Sequence, residues 1–276
     1  MISVLILTLN EEQNLPACLE SVAWCDDIVV YDSFSTDRTV EIAKVARARV
    51  VQRVFDNFAS QRNHALDEVA YKYPWVFHLD ADERFTPALL EECQEAVRAD
   101  ECSGYLVPSK MMFMGRWLRF SGMYPSYQTR LLKRGEVRFI QKGHGQREGE
   151  AQRGIGRLKE PYLHYSFNKG ITDWFAKHNR YSTQEALDSL MSQRHGKLDP
   201  WGWVSREPVR RRRALKELAA YLPCRPLLRF LYMYCLRLGV LDGMPGYHYC
   251  RLQATYEYMI ALKMKEQLRR ERGLPL

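Results

Sequence analysis

The stretch Trp75-Val76-Phe77-His78-Leu79-Asp80-Ala81-Asp82-Glu83 decides how this chain is read. Its apolar part, Val76 to Leu79, is short and unbroken, the pattern of a buried strand. The carboxylates Asp80, Asp82 and Glu83 follow at once. They would stand at the C-terminal end of the strand, where open α/β sheets place their ligands. In an extended segment alternate side chains share a face. Asp80 and Asp82 then point the same way, with Ala81 as a small spacer. Two close carboxylates repel unless something positive lies beside them. A hard divalent cation carrying phosphates is one solution. A solvated acidic loop is the plain alternative.

Outward from this stretch, strands alternate with helices. Ser3 to Thr8 is a β-rich apolar run, and Asn14 to Ala23 has helical spacing at Leu15, Cys18, Leu19 and Val22. Ile28 to Tyr31 is a second strand, ending at Asp32, and Ser33 to Arg38 reads as a turn and helix cap. Thr39 to Ala48 is helical, Arg49 to Val54 a third strand, and Ala59 to Tyr71 the helix before the fourth. Thr86 caps a helix that has Pro87 at its first position and runs to Arg98. Gly104 to Pro108 is a fifth strand. The alternation predicts an α/β fold with a mostly parallel sheet and helices on both faces.

From about residue 110 the pattern changes. Gln128–Lys133 and Val137–Ile140 predict a β-hairpin around Arg134-Gly135-Glu136, Gly143-His144-Gly145 a loop, and Ile171 to Met191 a helix. Pro226 to Leu241 is apolar and aromatic except for Arg229 and Arg237. Leu241 to Gly246 reads as a turn and Tyr247 to Arg272 as a further helix. Two regions are expected: a catalytic domain over residues 1–165 and a helical, basic-amphipathic C-terminal region over 166–276.

The 276 residues, 46% hydrophobic and 27% charged, suit a packed globular core. Seven Cys without a Cys-x-x-Cys pair argue against a zinc ribbon and a disulfide framework. Reduced cysteines, the absence of a signal-peptide pattern and the lack of any apolar run near 18 residues suggest a cytoplasmic chain without a spanning helix. The charge is uneven. Residues 1–205 hold 26 Lys/Arg against 27 Asp/Glu, whereas 206–276 hold 15 against 6. The whole excess of +8 therefore lies in the last quarter. Arg and aromatic residues beside an apolar stripe (Leu227, Leu228, Phe230, Leu231, Tyr234) are the makeup of an interfacial helix. With Arg210-Arg211-Arg212-Arg213 they point to an anionic membrane surface; the alternative is an ordinary helical hairpin with a solvated basic face. Nucleic acid is disfavoured, since no helix-turn-helix or zinc signature is present.

Glycine-rich phosphate loops and the dinucleotide fingerprint are absent. Polar groups instead gather at strand ends: Thr8, Asn10 and Glu11 after the first, Asp32 and Ser33 after the second, Gln61 and Arg62 after the third, Asp80, Asp82 and Glu83 after the fourth. Each alone has a structural explanation as a cap, turn or surface charge. Together they line one sheet edge.

On Thr8-Leu9-Asn10-Glu11-Glu12, Asp32-Ser33-Phe34-Ser35-Thr36-Asp37-Arg38-Thr39, Phe58 to Leu66 and Leu79-Asp80-Ala81-Asp82-Glu83, the chain resembles family 2 glycosyltransferases of GT-A fold. Met114 to Trp117, Gly122 to Pro125 and Gln128 to Leu132 look like the bacterial subgroup that builds lipopolysaccharide core, capsule and exopolysaccharide. The resemblance implies an inverting hexosyl transfer from a nucleotide-diphosphate sugar, UDP-linked, to a lipid-linked saccharide acceptor, by an enzyme peripheral on the inner face of the cytoplasmic membrane. It implies that Thr8, Asn10, Glu11, Asp32 and Ser33 hold the nucleoside. Gln61, Asp80 and Ala81 complete the nucleotide-sugar site, with Arg62 and Arg130 as diphosphate cations. Asp82, with Asp80, would reach Mg²⁺ or Mn²⁺. Where related chains carry His-Glu after the hairpin, this one has His144-Gly145-Gln146-Arg147-Glu148. Glu148, from a loop, and Glu83, beside the metal pair, are the candidate bases. The competing reading is a nucleotide-binding module or nucleotidyltransferase without glycosyl transfer.

Overall fold

The structure, a computed structural model, describes residues 1–142, 145–195, 202–204 and 224–276. The chain divides into two compact units, Met1–Ile171 and Thr172–Leu276. In the first, β1 (Ile2–Thr8), β2 (Ile28–Asp32), β3 (Arg49–Gln52) and β4 (Trp75–Asp80) are parallel and lie in the order β3-β2-β1-β4. Between them run α1 (Leu15–Ser21), α2 (Thr39–Val45) and α3 (Phe58–Glu68). Both faces of the sheet are covered, which is why β1 reads as a continuous apolar run: Val4, Leu5 and Ile6 are all fully buried. Val4, Ile6 and Phe77 pack with Leu15, Cys18 and Leu89 on one side. Leu5 and Val76 pack with Leu66 and Val69 on the other.

The helix starts follow their caps. Asn57 accepts the Ser60 N–H at 2.8 Å to open α3. Thr86 accepts the Leu89 N–H at 3.3 Å to open α4 (Pro87–Ala99), with Pro87 in its first turn. The short β5 (Glu83–Arg84) precedes α4.

After α4 the sheet continues in mixed sense. It is extended by β6 (Gly104–Phe113), β7 (Arg116–Trp117), β8 (Ser126–Lys133), β11 (Ile155–Arg157) and β12 (Tyr162–His164). The hairpin insertion exists, but one strand later than the sequence suggests. β8 runs antiparallel between β4 and β6, while β9 (Val137–Lys142) pairs with β10 (Gly145–Ala151) as a separate two-stranded sheet. The reason is burial. Leu131 and Leu132 of β8 are fully buried on opposite faces, which demands a central place in the main sheet. Residues 143 and 144, in the expected loop, lie outside the described residues.

In the second unit α5 (Gly170–His195) and α7 (Gly243–Glu271) share a core of Ala186, Leu190, Ile260 and Met264. Lys263 ties them by donating to Thr183 Oγ1 at 2.7 Å. The apolar run before α7 is broken into α6 (Arg225–Leu231), a π-turn over Tyr232–Leu236 and a 3₁₀ turn over Gly239–Asp242. The turn expected at Leu241–Gly246 is shorter, because α7 begins at Gly243 and takes Pro245 into its first turn. Leu227, Leu228 and Leu231 are exposed, while Phe230 stacks on Tyr234 at 5.2 Å. Leu236, at 77%, is among the most exposed, and Leu238, Val240, Leu241 and Met244 are exposed with it. Arg210 to Arg213 lie outside the described residues. Among the described residues no helix is long and apolar enough to cross a membrane.

Candidate active site

The strand order turns at β1, which has β2 on one side and β4 on the other. Such a switch point opens a crevice at the C-terminal strand ends. Thr8 pairs there with Asp32, and Leu7 with Asp80. The carboxylate of Asp32 is wholly buried, with both oxygens engaged by its own chain. Thr8 Oγ1 donates to Oδ1 at 2.9 Å and the Ser35 hydroxyl shares that oxygen; the Ser35 N–H at 2.9 Å and Gln52 Nε2 at 3.0 Å reach Oδ2. Asp32 thereby fixes the loop that follows it.

The rim continues from this anchor. Asn10 adopts a left-handed conformation (φ 54°), which Asn tolerates, and its Oδ1 accepts the Thr36 N–H at 2.8 Å. The Glu11 N–H donates to Thr39 Oγ1 at 2.7 Å. Its carboxylate accepts from Asn14 Nδ2 at 2.8 Å and pairs with Lys169. Burial raises the Glu11 pKa, and Lys169 and Asn14 offset this only in part. Ser33 Oγ accepts from Gln61 Nε2 at 3.1 Å. Thr8, Asn10, Glu11, Asp32, Ser33 and Gln61 therefore belong to one polar edge.

Beside it lies a buried charge cluster. Arg62 of α3 and Arg130 of β8 are 4% and 1% exposed. Asp80 sits between them, its Oδ1 accepting from Arg62 Nη2 at 2.9 Å and its Oδ2 from Arg130 Nη2 at 2.8 Å. Arg130 also pairs with Glu83 Oε1, and Glu83 Oε2 accepts the Asp80 N–H at 2.9 Å. Burial pushes the Asp80 carboxyl up, but Arg130 and Arg62 more than reverse it and hold Asp80 well below the usual carboxylate range. Glu83 goes the other way: burial outweighs Arg130 and raises it to about 7. Burial, with the two arginines, holds His78 well below the usual imidazole value. Since a guanidinium only donates, His78 Nδ1 accepts from Arg62 Nη1 at 3.2 Å.

Arg130 reaches this cluster because of a β-bulge. Leu131 pairs with Tyr105 and Thr129 with Leu106, so Arg130 is an extra residue with no partner in the β6–β8 register. A bulge bends the strand and re-aims its side chain. Here it turns the guanidinium to Asp80 and Glu83, over the Tyr162 ring at 5.2 Å.

Asp82 has a neighbour that the sequence reading missed. β12 pairs antiparallel with β5, bringing His164 opposite Glu83. His164 Nε2 lies 3.3 Å from Asp82 Oδ2. Burial lowers the His164 pKa, but Asp82, Glu83 and Asp80 outweigh it and raise it to about 9. The strand-end rule used for Asp80 would have flagged His164 too, at the end of Tyr162-Leu163-His164. Among the described residues no third His, Cys, Asp or Glu completes a cluster with them. Asp80, both oxygens held by arginine, is not available as expected. An oxygen and a nitrogen donor facing one another still fit a divalent cation that draws its remaining ligands from phosphate and water. Ala81, between the two aspartates, is buried.

Glu148 lies in strand β10, not in a loop. Its Oε1 accepts from the hydroxyl of Thr129, the residue before Arg130. The β9–β10 register slips just after it, between Glu148 and Ala151.

A parallel sheet with its polar edge at a switch point defines an open α/β fold of the kind that binds its ligands at the C-terminal strand ends. The family model of Glycosyl transferase family 2 matches residues 3–147. The chain is 31% identical over 200 residues to the lipopolysaccharide core biosynthesis glycosyltransferase LpsC of Rhizobium meliloti (strain 1021), covering 69% of this chain and 72% of that one. It is 29% identical over 201 residues to an uncharacterized glycosyltransferase of Rickettsia bellii (strain RML369-C), covering 68% and 67%. The chain belongs to glycosyl transferase family 2, and its fold is GT-A. The fold is similar to the mannosyltransferase PcManGT from Pyrobaculum calidifontis, solved with GDP-Man and Mn²⁺, at TM-score 0.50 and 17% identity over 96% of this chain and 87% of that one.

Proposed function

We propose that this glycosyltransferase moves a sugar from a UDP-linked donor to a lipid-linked saccharide, with inversion, in the synthesis of a bacterial surface polysaccharide or lipopolysaccharide. The observation that carries this reading is the Asp82–His164 pair beside an Asp80 clamped by two buried arginines. The similarity to LpsC supports the acceptor class.

Thr8, Asn10, Glu11, Asp32, Ser33 and Gln61 form the edge proposed for the nucleoside, with Asp32, buried and bonded to Thr8, Ser35 and Gln52, as the anchor that fixes its loop. Arg62 and Arg130, expected on the diphosphate, are committed to Asp80 and Glu83; we assign them to keeping Asp80 ionised and in place. Asp82 and His164 would hold Mg²⁺ or Mn²⁺, with His164 giving up its proton. When bound, the ion neutralises charge on the departing diphosphate.

Glu148 is assigned the base. It takes the proton of the acceptor hydroxyl as that oxygen bonds to the anomeric carbon, and the nucleoside diphosphate leaves with the electrons of the broken bond. Glu83 suits this role less well, being fully buried with both oxygens engaged. The exposed apolar surface of the second unit supports docking on the anionic cytoplasmic leaflet.

The test is an acceptor-dependent assay of UDP release, with the anomeric configuration of the product read by NMR. Pyrophosphate release would favour a nucleotidyltransferase, and a retained configuration would overturn inversion.

A further inference from the structure

Leu106, Pro108, Lys110 and Met112 alternate along β6 and so share one face of the sheet. The neighbouring strands add to that face. Arg157 and Thr129 both pair with Leu106, Tyr127 with Pro108 and Trp117 with Met112. The contacts agree with the register. The Arg157 guanidinium lies 5.6 Å from the Tyr127 ring, across β6, and Lys110 Nζ lies 4.7 Å from the Trp117 ring. Thr129 brings Glu148 to the same face. From Leu106 to Met112 the stripe is about 20 Å long.

Its position follows from β4. That strand ends at Asp80, three residues past the Phe77–Leu131 pair, and so at about the level of Thr129 and Gln128. The stripe begins beside the donor carboxylates and runs away from them, past Glu148.

Its chemistry is cationic and aromatic. Among the described residues, Lys110 and Arg157 enter no ion pair; their charges rest on ring faces. At the stripe's flank burial raises the Tyr124 hydroxyl pKa, with smaller contributions from Tyr127 and Glu160. The Tyr127 ring is exposed and the Trp117 ring half-buried, with Arg119 5.7 Å from it as well; a cation over a solvent-facing ring is held weakly. A charge-assisted hydrogen bond to phosphate or carboxylate is stronger.

We propose that this stripe is the acceptor subsite and that it takes a saccharide bearing phosphate or carboxylate groups. The sugar rings lie along Tyr127 and Trp117, and the anionic groups meet Lys110 and Arg157. The assignment rests on the glycosyl-transfer reading above and names the substrate class of that site.

The experiment titrates the full chain with maltotriose 6-phosphate and with maltotriose, following the indole N–H resonances by NMR, with Trp117→Phe to identify the Trp117 signal. The phosphorylated sugar should shift that signal with at least ~10-fold higher affinity than the neutral one. Lys110→Ala with Arg157→Ala should abolish the difference and leave UDP affinity within about twofold, as for separate sites. Equal response to the two sugars, no response to either at millimolar concentration, or a fall in UDP affinity in the double variant overturns the proposal. UDP titration of the wild type, independent of the sugar probes, tests the transfer reading separately.

Discussion

Arg130 and Glu83 form an ion pair inside the protein, their side chains 1% and 0% exposed. The pair is costly to desolvate, and breaking it from one side leaves an uncompensated buried charge. Arg130→Met should lower stability by about 3–5 kcal/mol, read by chemical denaturation. Adding Glu83→Gln should recover part of that loss, because the orphaned carboxylate is removed. Strict additivity of the two changes would show that the residues are not coupled.

Asp82 and His164 are expected to act as a unit. Asp82→Asn should lower transfer at least ~100-fold, the scale of a lost electrostatic contact at the transition state, and should weaken UDP binding in the presence of Mn²⁺. It should also change the imidazole. In the wild type His164 is raised to about 9. Its stabilising charge is therefore fully present below the ordinary histidine value and is lost as the pH rises through about 9. Without the Asp82 charge, burial dominates and the midpoint should fall sharply. An NMR titration of the His164 ring that gives the same midpoint in both proteins would contradict this.

The two carboxylates proposed or considered as bases make opposite predictions. Glu148→Gln should abolish transfer while leaving donor binding near wild type, since a base touches only the attacking hydroxyl. Glu83→Gln should act mainly on stability, through Arg130. If Glu83→Gln is inactive but well folded and Glu148→Gln is active, the roles reverse.

Leu236, Leu238, Val240, Leu241 and Met244 crowd exposed apolar surface into nine positions. Such patches mark interaction surfaces. The wild type should sediment with vesicles containing anionic lipid, and Leu236→Asp with Leu241→Asp should release it. Charge reversal at Arg210, Arg211, Arg212 and Arg213 should weaken binding further, at about 1 kcal/mol per basic residue near the leaflet. A wild type that stays in solution beside anionic vesicles at low salt would show that the patch serves another purpose.

Much of the parallel, N-terminal half of the sheet was legible in the linear sequence. Val76 to Leu79 bounded by Asp80, and Ile28 to Tyr31 bounded by Asp32, are local patterns: an apolar run long enough for one buried strand, then a polar residue where the strand leaves the core. Their order alone implies a parallel sheet, and hence a shared edge. Thr86-Pro87 likewise announces its helix through backbone chemistry that neighbouring residues decide.

What the tertiary structure decided lies in pairings between distant strands. The hairpin expected at Gln128–Ile140 moved because β8 is drawn beside β4, a choice made by residues some 50 positions away. Arg130 turns inward through a register slip against β6, and no local motif encodes which residue of a strand will be the extra one. His164 meets Asp82 across 82 positions of sequence, and only the antiparallel pairing of β12 with β5 brings them together. Alternation along a strand tells which residues share a face; the register between strands tells which of them meet, and that is set by packing of the whole core.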